Sequence, residues 1–280
     1  MASSPAIRLP DDPGLRLLGP GDPPPVEHHH YGARWPALIV CDHASRAVPR
    51  ALGNLGLEDA QLARHIGWDI GAAALAHALA RRLELPLVQS GYSRLVIDCN
   101  RRLDDPTSIA VESDGQPIPG NVGLTDADRA ARARELFGPY HAGIDAELRS
   151  AVARCPRDHV PHGPALIAVH SFTDVYGGRE RPWHCGILWD RDPRLPLALL
   201  EALRDERGLV VGDNEPYSGR HPADFTIDHH AEHRGWPHVC IEVRQDLIAG
   251  PAGVEAWARR LATPLADRLS DPNLYRAMQY

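Results

Sequence analysis

The chain has no lysine: all 30 of its Lys+Arg residues are arginine. A Schiff-base amine for pyridoxal phosphate or aldol chemistry is therefore excluded, as are the P-loop lysine and the strand lysine of kinases. Basic runs are also missing. With a formal charge of −7 the surface offers no footprint for a phosphate backbone, so nucleic acid is not expected as a partner. No apolar run approaches the roughly 20 residues that span a bilayer. The start, MASSPAIRLPDDPG, lacks a basic segment followed by an apolar one, so no membrane partner and a cytoplasmic location are expected. The five cysteines (Cys41, Cys99, Cys155, Cys185, Cys240) are odd in number, contain no CxxC pair and fall mostly in apolar stretches. They read as small buried hydrophobes in a reducing compartment. There is no GxSxG elbow, and Ser45 and Ser171 follow histidines directly, which argues against serine hydrolysis.

What is present is an ordinary globular composition, 43% hydrophobic and 24% charged over 280 residues, enough for one large domain. Residues 1–34 are proline-rich and are expected to form an arm that starts no core strand ladder. From Trp35 onward, short apolar segments alternate with helical stretches. Strands are expected at Ala37–Cys41, Pro86–Gln89, Arg94–Asp98, Ala165–Val169, His184–Trp189, Leu209–Val211 and His238–Val243. Helices are expected over 57–64, 69–83, 125–151 with Thr125 as cap, 194–206 and 252–268. Near-continuous apolar strands separated by helices predict one α/β domain over 35–280, with a mainly parallel mixed sheet covered on both faces.

In such a sheet ligands bind beyond the carboxyl ends of the strands. There the sequence places Asp42-His43 after the first strand and His170-Ser171 after Val169, while Glu242 lies among valine, cysteine and isoleucine, where a bare carboxylate is costly without a partner or a task. Two histidines and a carboxylate are a common zinc donor set that leaves a position for water, and a neighbouring glutamate can move the proton. His43 and His170 are the imidazole candidates. Asp69, at the opening of the next helix, is the preferred third metal ligand, with Asp42 and Asp98 as rivals. Each has a structural alternative: a hydrogen-bonded core histidine, a helix cap at Asp69, or an ion pair of Glu242 with Arg244. The run His28–His30 invites a metal reading too, but neighbours on an extended chain point to alternate sides. Arg94, Asn100 and Arg101 flank one apolar segment, and guanidinium groups suit an acidic substrate, although pairing with Asp98, Asp104 or Asp105 explains them equally well.

The segments CDHAS (41–45), HIGWDIGA (65–72), YSRLVIDCNR (92–101), HSFT (170–173), RPWHCGILWD (181–190), DNEPYSG (213–219) and IEVRQDLI (241–248) together resemble the N-formylglutamate amidohydrolase family. That family is related to zinc exopeptidases, aspartoacylase and N-acetylmuramoyl amidases. The resemblance implies a zinc-exopeptidase-like catalytic domain that cleaves the N-formyl or other N-acyl amide of a small acidic amino acid. It further implies zinc held by His43 and His170 with a carboxylate, Glu242 as general acid/base, and an Asn100-Arg101 pair for a substrate carboxylate. One departure stands out: the exopeptidase HxxE spacing is absent, Arg46 standing three residues after His43, so the carboxylate ligand must come from elsewhere. A zinc peptidase or other amide hydrolase of the same fold, and a metal-free binding protein, are the alternatives.

Overall fold

Ala37–Cys41, Pro86–Ser90 and Ala165–Phe172 are buried at every position, so neither face of these strands meets water. Their hydrophobic side chains require cover on both sides of a sheet. In the computed structural model, which describes residues 16–156, 159–220 and 224–280, that sheet has seven strands. They are β1 (Val26–His30), β2 (Ala37–Cys41), β3 (Pro86–Ser90), β4 (Ala165–Phe172), β5 (Cys185–Leu188), β6 (Val211–Asp213) and β7 (His238–Arg244), in the spatial order β1-β3-β2-β4-β7-β5-β6. β3, β2, β4 and β7 run parallel to one another, and β6 runs parallel to β5. β1 and β5 join antiparallel, to β3 and β7 respectively.

The main helices are α1 (Ala72–Leu83), α2 (Asp126–Arg132), α3 (Gly138–Val152), α4 (Pro196–Arg204), α5 (Phe225–His230) and α6 (Pro251–Leu269). In α1, Leu75, Leu79 and Leu83 recur at helical spacing and are buried with Trp257, Leu261 and Leu265 of α6 against Ile39, Ile167 and Ile241. That stripe covers one face of the sheet; each such leucine removed from water contributes about 1.5–3 kcal/mol. The other face, with Leu38, Val40, Ala168 and Cys240, packs under Tyr140, Ile144 and Leu148 of α3 and Ile227 of α5. The expected mixed, mainly parallel α/β architecture is therefore the observed one. All five cysteines are buried and free. No helix among the described residues is long and apolar enough to cross a membrane.

Four local expectations need correction. Val26–His30 does pair with β3, even though Pro23, Pro24 and Pro25 precede it. Proline lacks only the donor; the Pro25 carbonyl accepts from the Gly91 N–H at 3.1 Å, and an edge strand needs a partner on one side alone. Residues 1–15 of that proline-rich segment lie outside the described residues. Arg94–Asp98 is a loop, not a strand. The Leu95 carbonyl accepts from Asn121 Nδ2 and the Val96 carbonyl from Arg132 Nη1, and Leu95, Val96 and Ile97 are buried in a satellite core. The apolar run thus reports burial without a ladder. The helix expected from 69 starts at Ala72 with Gly71 at its cap, and the one expected over 57–64 is a single turn, Asp59–Leu62. Thr125 caps α2 as expected, bonding the Asp128 N–H in a reciprocal capping box.

Candidate active site

β2 releases Asp42 and His43 as it leaves the sheet, and β4 carries His170 near its carboxyl end. Asp69 lies in the turn before α1, tied to the segment leaving β2 by its N–H donating to the His43 carbonyl at 3.0 Å. The three side chains meet. Asp69 Oδ2 stands 3.4 Å from His43 Nδ1 and 2.8 Å from His170 Nδ1, and the two rings lie edge to face with centroids 5.0 Å apart. The opposite ring nitrogens face other carboxylates: His43 Nε2 to Asp98 Oδ1 at 2.7 Å and His170 Nε2 to Asp42 Oδ2 at 2.9 Å. Carboxylates accept and do not donate, so both nitrogens of each ring face acceptors: a neutral ring that donates through Nε2 turns an Nδ1 lone pair toward Asp69, and only the doubly protonated ring satisfies both sides without a cation. With neutral rings, two such lone pairs and Asp69 Oδ2 converge, relieved only by the Ser171 N–H at 3.3 Å. This arrangement repels itself unless a cation, or extra protons, sits among the three acceptors.

Charge points the same way. Asp42, Asp69 and Asp98 are all buried, and Arg94, bonded to Asp69 Oδ1 at 3.3 Å and Asp98 Oδ2 at 2.9 Å, is the guanidinium that answers them. Three carboxylates against one guanidinium leave two negative charges when both imidazoles are neutral, which suits a divalent ion. Burial and the Arg94 charge pull the His43 pKa down, yet Asp98 and Asp69 outweigh them and raise it. Burial likewise opposes, and the bonds to Asp42 and Asp69 prevail, in driving His170 well above the usual imidazole range. Against burial, His170 holds Asp42 down at about 2, and His43 with Arg94 holds Asp98 well below the carboxylate range. Tyr140 and Thr226 donate to Asp42 Oδ1 at 2.9 and 2.5 Å, completing its shell.

Glu242 behaves differently. It sits beside His170 in the parallel register of β7 and β4, so both side chains leave the same face of the sheet. It is buried, its Oε2 has no hydrogen-bond partner, and burial pushes its pKa up to about 8 against the pull of His170. Arg244, the alternative ion-pair partner, turns instead to Asp246 at 2.8 Å. A buried carboxylate oxygen without a hydrogen-bond partner among the described residues, beside three converging ligand atoms, is free to take a proton or a hydrogen bond from a ligand.

Of the residues expected from sequence to bind substrate, Arg94 lies at the centre, its guanidinium held between Asp69 and Asp98. Arg101 Nη1 donates to Asp224 at 2.6 Å, and Asn100 Oδ1 accepts from the Thr226 N–H at 3.0 Å, so this pair fastens the start of α5. The rivals Asp42 and Asp98 stand behind the imidazoles. Tyr140 and Thr226 escaped sequence reading altogether, because nothing local marks a tyrosine or threonine for a carboxylate 98 or 184 positions away. The His28–His30 run alternates as expected: His28 faces Glu147 on α3, while His29 turns to His77 on α1. A second cluster, unforeseen, brings Asp145, His229 and His230 within 4.8 Å of one another, as it does His43, Asp69 and His170 in the first.

The family model described as N-formylglutamate amidohydrolase matches residues 35–249. Among solved structures, the gene product Atu2144 from Agrobacterium tumefaciens is 35% identical, covering 91% of this chain and 98% of its own, with a TM-score of 0.84. The N-formylglutamate amidohydrolase from Ralstonia eutropha JMP134 is 19% identical, covers 88% and 98%, and superposes with a TM-score of 0.61, a likeness of fold. No curated protein matches the chain.

Proposed function

The chain belongs to the N-formylglutamate amidohydrolase family, and from that premise we propose that it is a zinc-dependent amidohydrolase that removes the N-formyl group, or a similar N-acyl group, from a small acidic amino acid. The observation that carries this reading is the convergence of His43 Nδ1, His170 Nδ1 and Asp69 Oδ2 beside the unpartnered Glu242. Two imidazoles and one carboxylate fit zinc and leave room for water. A zinc ion bound there supplies Lewis acidity toward the acyl carbonyl and a water that ionises near neutral pH.

The remaining work belongs to the chain. Asp98 and Asp42 accept from the Nε2 hydrogens and so orient both rings with their lone pairs inward. Asp69 is itself held by Arg94 and the Ser171 N–H. A cation among these groups also favours the ionised form of Glu242, countering burial. Glu242 takes the proton of the attacking water and returns it to the departing amine. Arg94, about a quarter exposed at 28% and bonded to Asp69 beside the reacting centre, is the guanidinium placed to stabilise the oxyanion that develops on the acyl oxygen or to hold a substrate carboxylate. Arg101 and Asn100 keep this wall in place through Asp224 and Thr226.

The test is metal analysis of the purified protein joined to a screen of N-acyl amino acids. We expect about one zinc per chain, hydrolysis of N-formyl amino acids that chelation abolishes, and recovery on adding zinc back. Hydrolysis that persists without metal would overturn the reading.

A further inference from the structure

The register across the carboxyl half of the sheet aligns His170, Glu242, Gly186 and Gly212 on neighbouring strands, one row on one face. Where the row reaches the two glycines, the backbone of Glu215 takes the place of their side chains: a Cβ on Gly186 would lie 2.1 Å from the Glu215 carbonyl oxygen, and one on Gly212 2.5 Å from it. The segment 213–220 is therefore seated on the sheet directly beside Glu242. It is pinned there by Asn214 Oδ1, which accepts from the N–H groups of Trp189 at 3.1 Å and Gly219 at 2.8 Å.

At the tip of this segment Tyr217 takes a hydrogen bond from Arg181 Nη1 at 2.9 Å. The Arg181 guanidinium also lies over the rings of Tyr217 and Tyr176, 4.8 and 4.7 Å from their centroids, and 6.0 Å from that of Phe172. Phe172 is two positions beyond His170 on β4 and shares its face. Two independent supports, the glycine-seated segment and the end of β4, thus bring Arg181 to the edge of the site. The Tyr217 hydroxyl feels both sides of it: burial first, then the charge of Glu242, raises its pKa, whereas Arg181 and Arg94 lower it.

Arg181 differs from the arginines expected to bind substrate in what it lacks. Arg94 has Asp69 and Asp98 and Arg101 has Asp224, while among the described residues Arg181 has no carboxylate partner. A half-buried guanidinium held among aromatic rings is pre-organised for bidentate binding of a carboxylate brought by a ligand.

We propose that Arg181, held by Tyr217 and Tyr176 over the row His170–Glu242–Gly186, binds the side-chain carboxylate of the substrate and sets the preference for acidic N-acyl amino acids. This rests on the amidohydrolase reading above and moves the specificity from Arg94 and Arg101 to a residue on another loop. A neutral side chain forgoes the charge-assisted hydrogen bonds that Arg181 makes.

The test compares kcat/KM for N-formylglutamate and N-formylnorleucine in the wild type, Arg181→Leu and Arg181→Lys, together with binding of glutarate, a dicarboxylate with no amide, by calorimetry. The glutamate-over-norleucine preference should fall about 10- to 100-fold in Arg181→Leu and less in Arg181→Lys, which keeps the charge without the planar fork. Glutarate binding should weaken in the same order. An unchanged preference, or an equal loss on both substrates, overturns the assignment. If the wild type hydrolyses neither substrate, the amidohydrolase reading fails, and glutarate decides the clamp alone: binding weakened by Arg181→Leu upholds it, and absent or unchanged binding overturns it.

Discussion

Two buried histidine clusters lie on one fold and have opposite electrostatics. In the first, His43 and His170 face Asp42, Asp69 and Asp98, with Arg94 as counter-charge, and the imidazole pKa values rise. In the second, His230 bonds Asp145 with His141 and His229 packed beside it, and Asp145 Oδ1 already accepts from Arg234 Nη2 at 3.1 Å. There burial, followed by the neighbouring imidazole His230, lowers His229 to about 4 and drives His141 well below its usual value. The ring nitrogens of this second group are linked in a chain, with His141 Nε2 against the Cys99 carbonyl at 2.9 Å, His141 Nδ1 against His230 Nε2 at 2.9 Å, and His230 Nδ1 against Asp145 at 3.2 Å. Both groups bring three possible metal donors together. The difference teaches that two sets of donors at equal proximity need not attract a cation equally. Net charge differs: two uncompensated negative charges favour a cation more than one carboxylate already matched by a guanidinium.

The largest effect that separates the clusters is expected from Asp69→Ala set beside His229→Ala. The first should lose both bound zinc and hydrolysis, falling to background; the second should keep its zinc. Zinc content by mass spectrometry checks both, and equal zinc loss from the two variants would erase the contrast. Glu242→Gln sharpens it next, since it removes the proton carrier without touching a donor: zinc stays, and kcat should drop about 10²- to 10⁴-fold. A variant that keeps its rate would return Glu242 to a structural role. Asp98→Asn acts one step farther out, on the acceptor that orients His43, and should weaken zinc affinity about 10- to 100-fold in a competition titration.

The smallest effect is one of stability, and its sign follows from the depressed His229 pKa. The unfolded imidazole binds a proton near pH 6.5, whereas the folded one does not until about pH 4. The unfolded state therefore holds more protons between these values, so stability present above pH 6.5 is lost as the pH falls through the folded pKa. His229 should account for roughly 2–3 kcal/mol of that loss. Urea unfolding at pH 7 and pH 4.5 should show a shallower acid slope in His229→Gln than in the wild type. The raised His43 and His170 work in the other direction in metal-free protein: their contribution is full below pH 6.5 and is lost as the pH rises through their folded values. Identical slopes in the variant and the wild type would show that the second cluster does not titrate apart from the first.

Much of this was open to a reader of the sequence. Apolar runs of five to eight residues, set between helical stretches, determine a mainly parallel α/β sheet, because strands buried on both faces leave no alternation of polar and apolar side chains. The same runs place His43 and His170 at strand carboxyl ends and Glu242 inside a strand. The run from Arg94 to Asp98 misled for the same reason: burial is readable in composition, but whether a sheet or a satellite core provides it is not. What the tertiary structure alone decided is which groups meet. Asp69 lies 26 positions from His43 and 101 from His170, and parallel pairing of β2 with β4 carries both histidines to it. Asp42 and Asp98, equal to Asp69 as carboxylates in the sequence, differ from it by the ring nitrogen they face. Among the described residues, Arg181 differs from Arg94 and Arg101 by having no carboxylate ion-pair partner. Such distinctions rest on distances of a few ångströms between residues far apart in the chain, and those distances follow from how the strands are ordered and what packs over their ends.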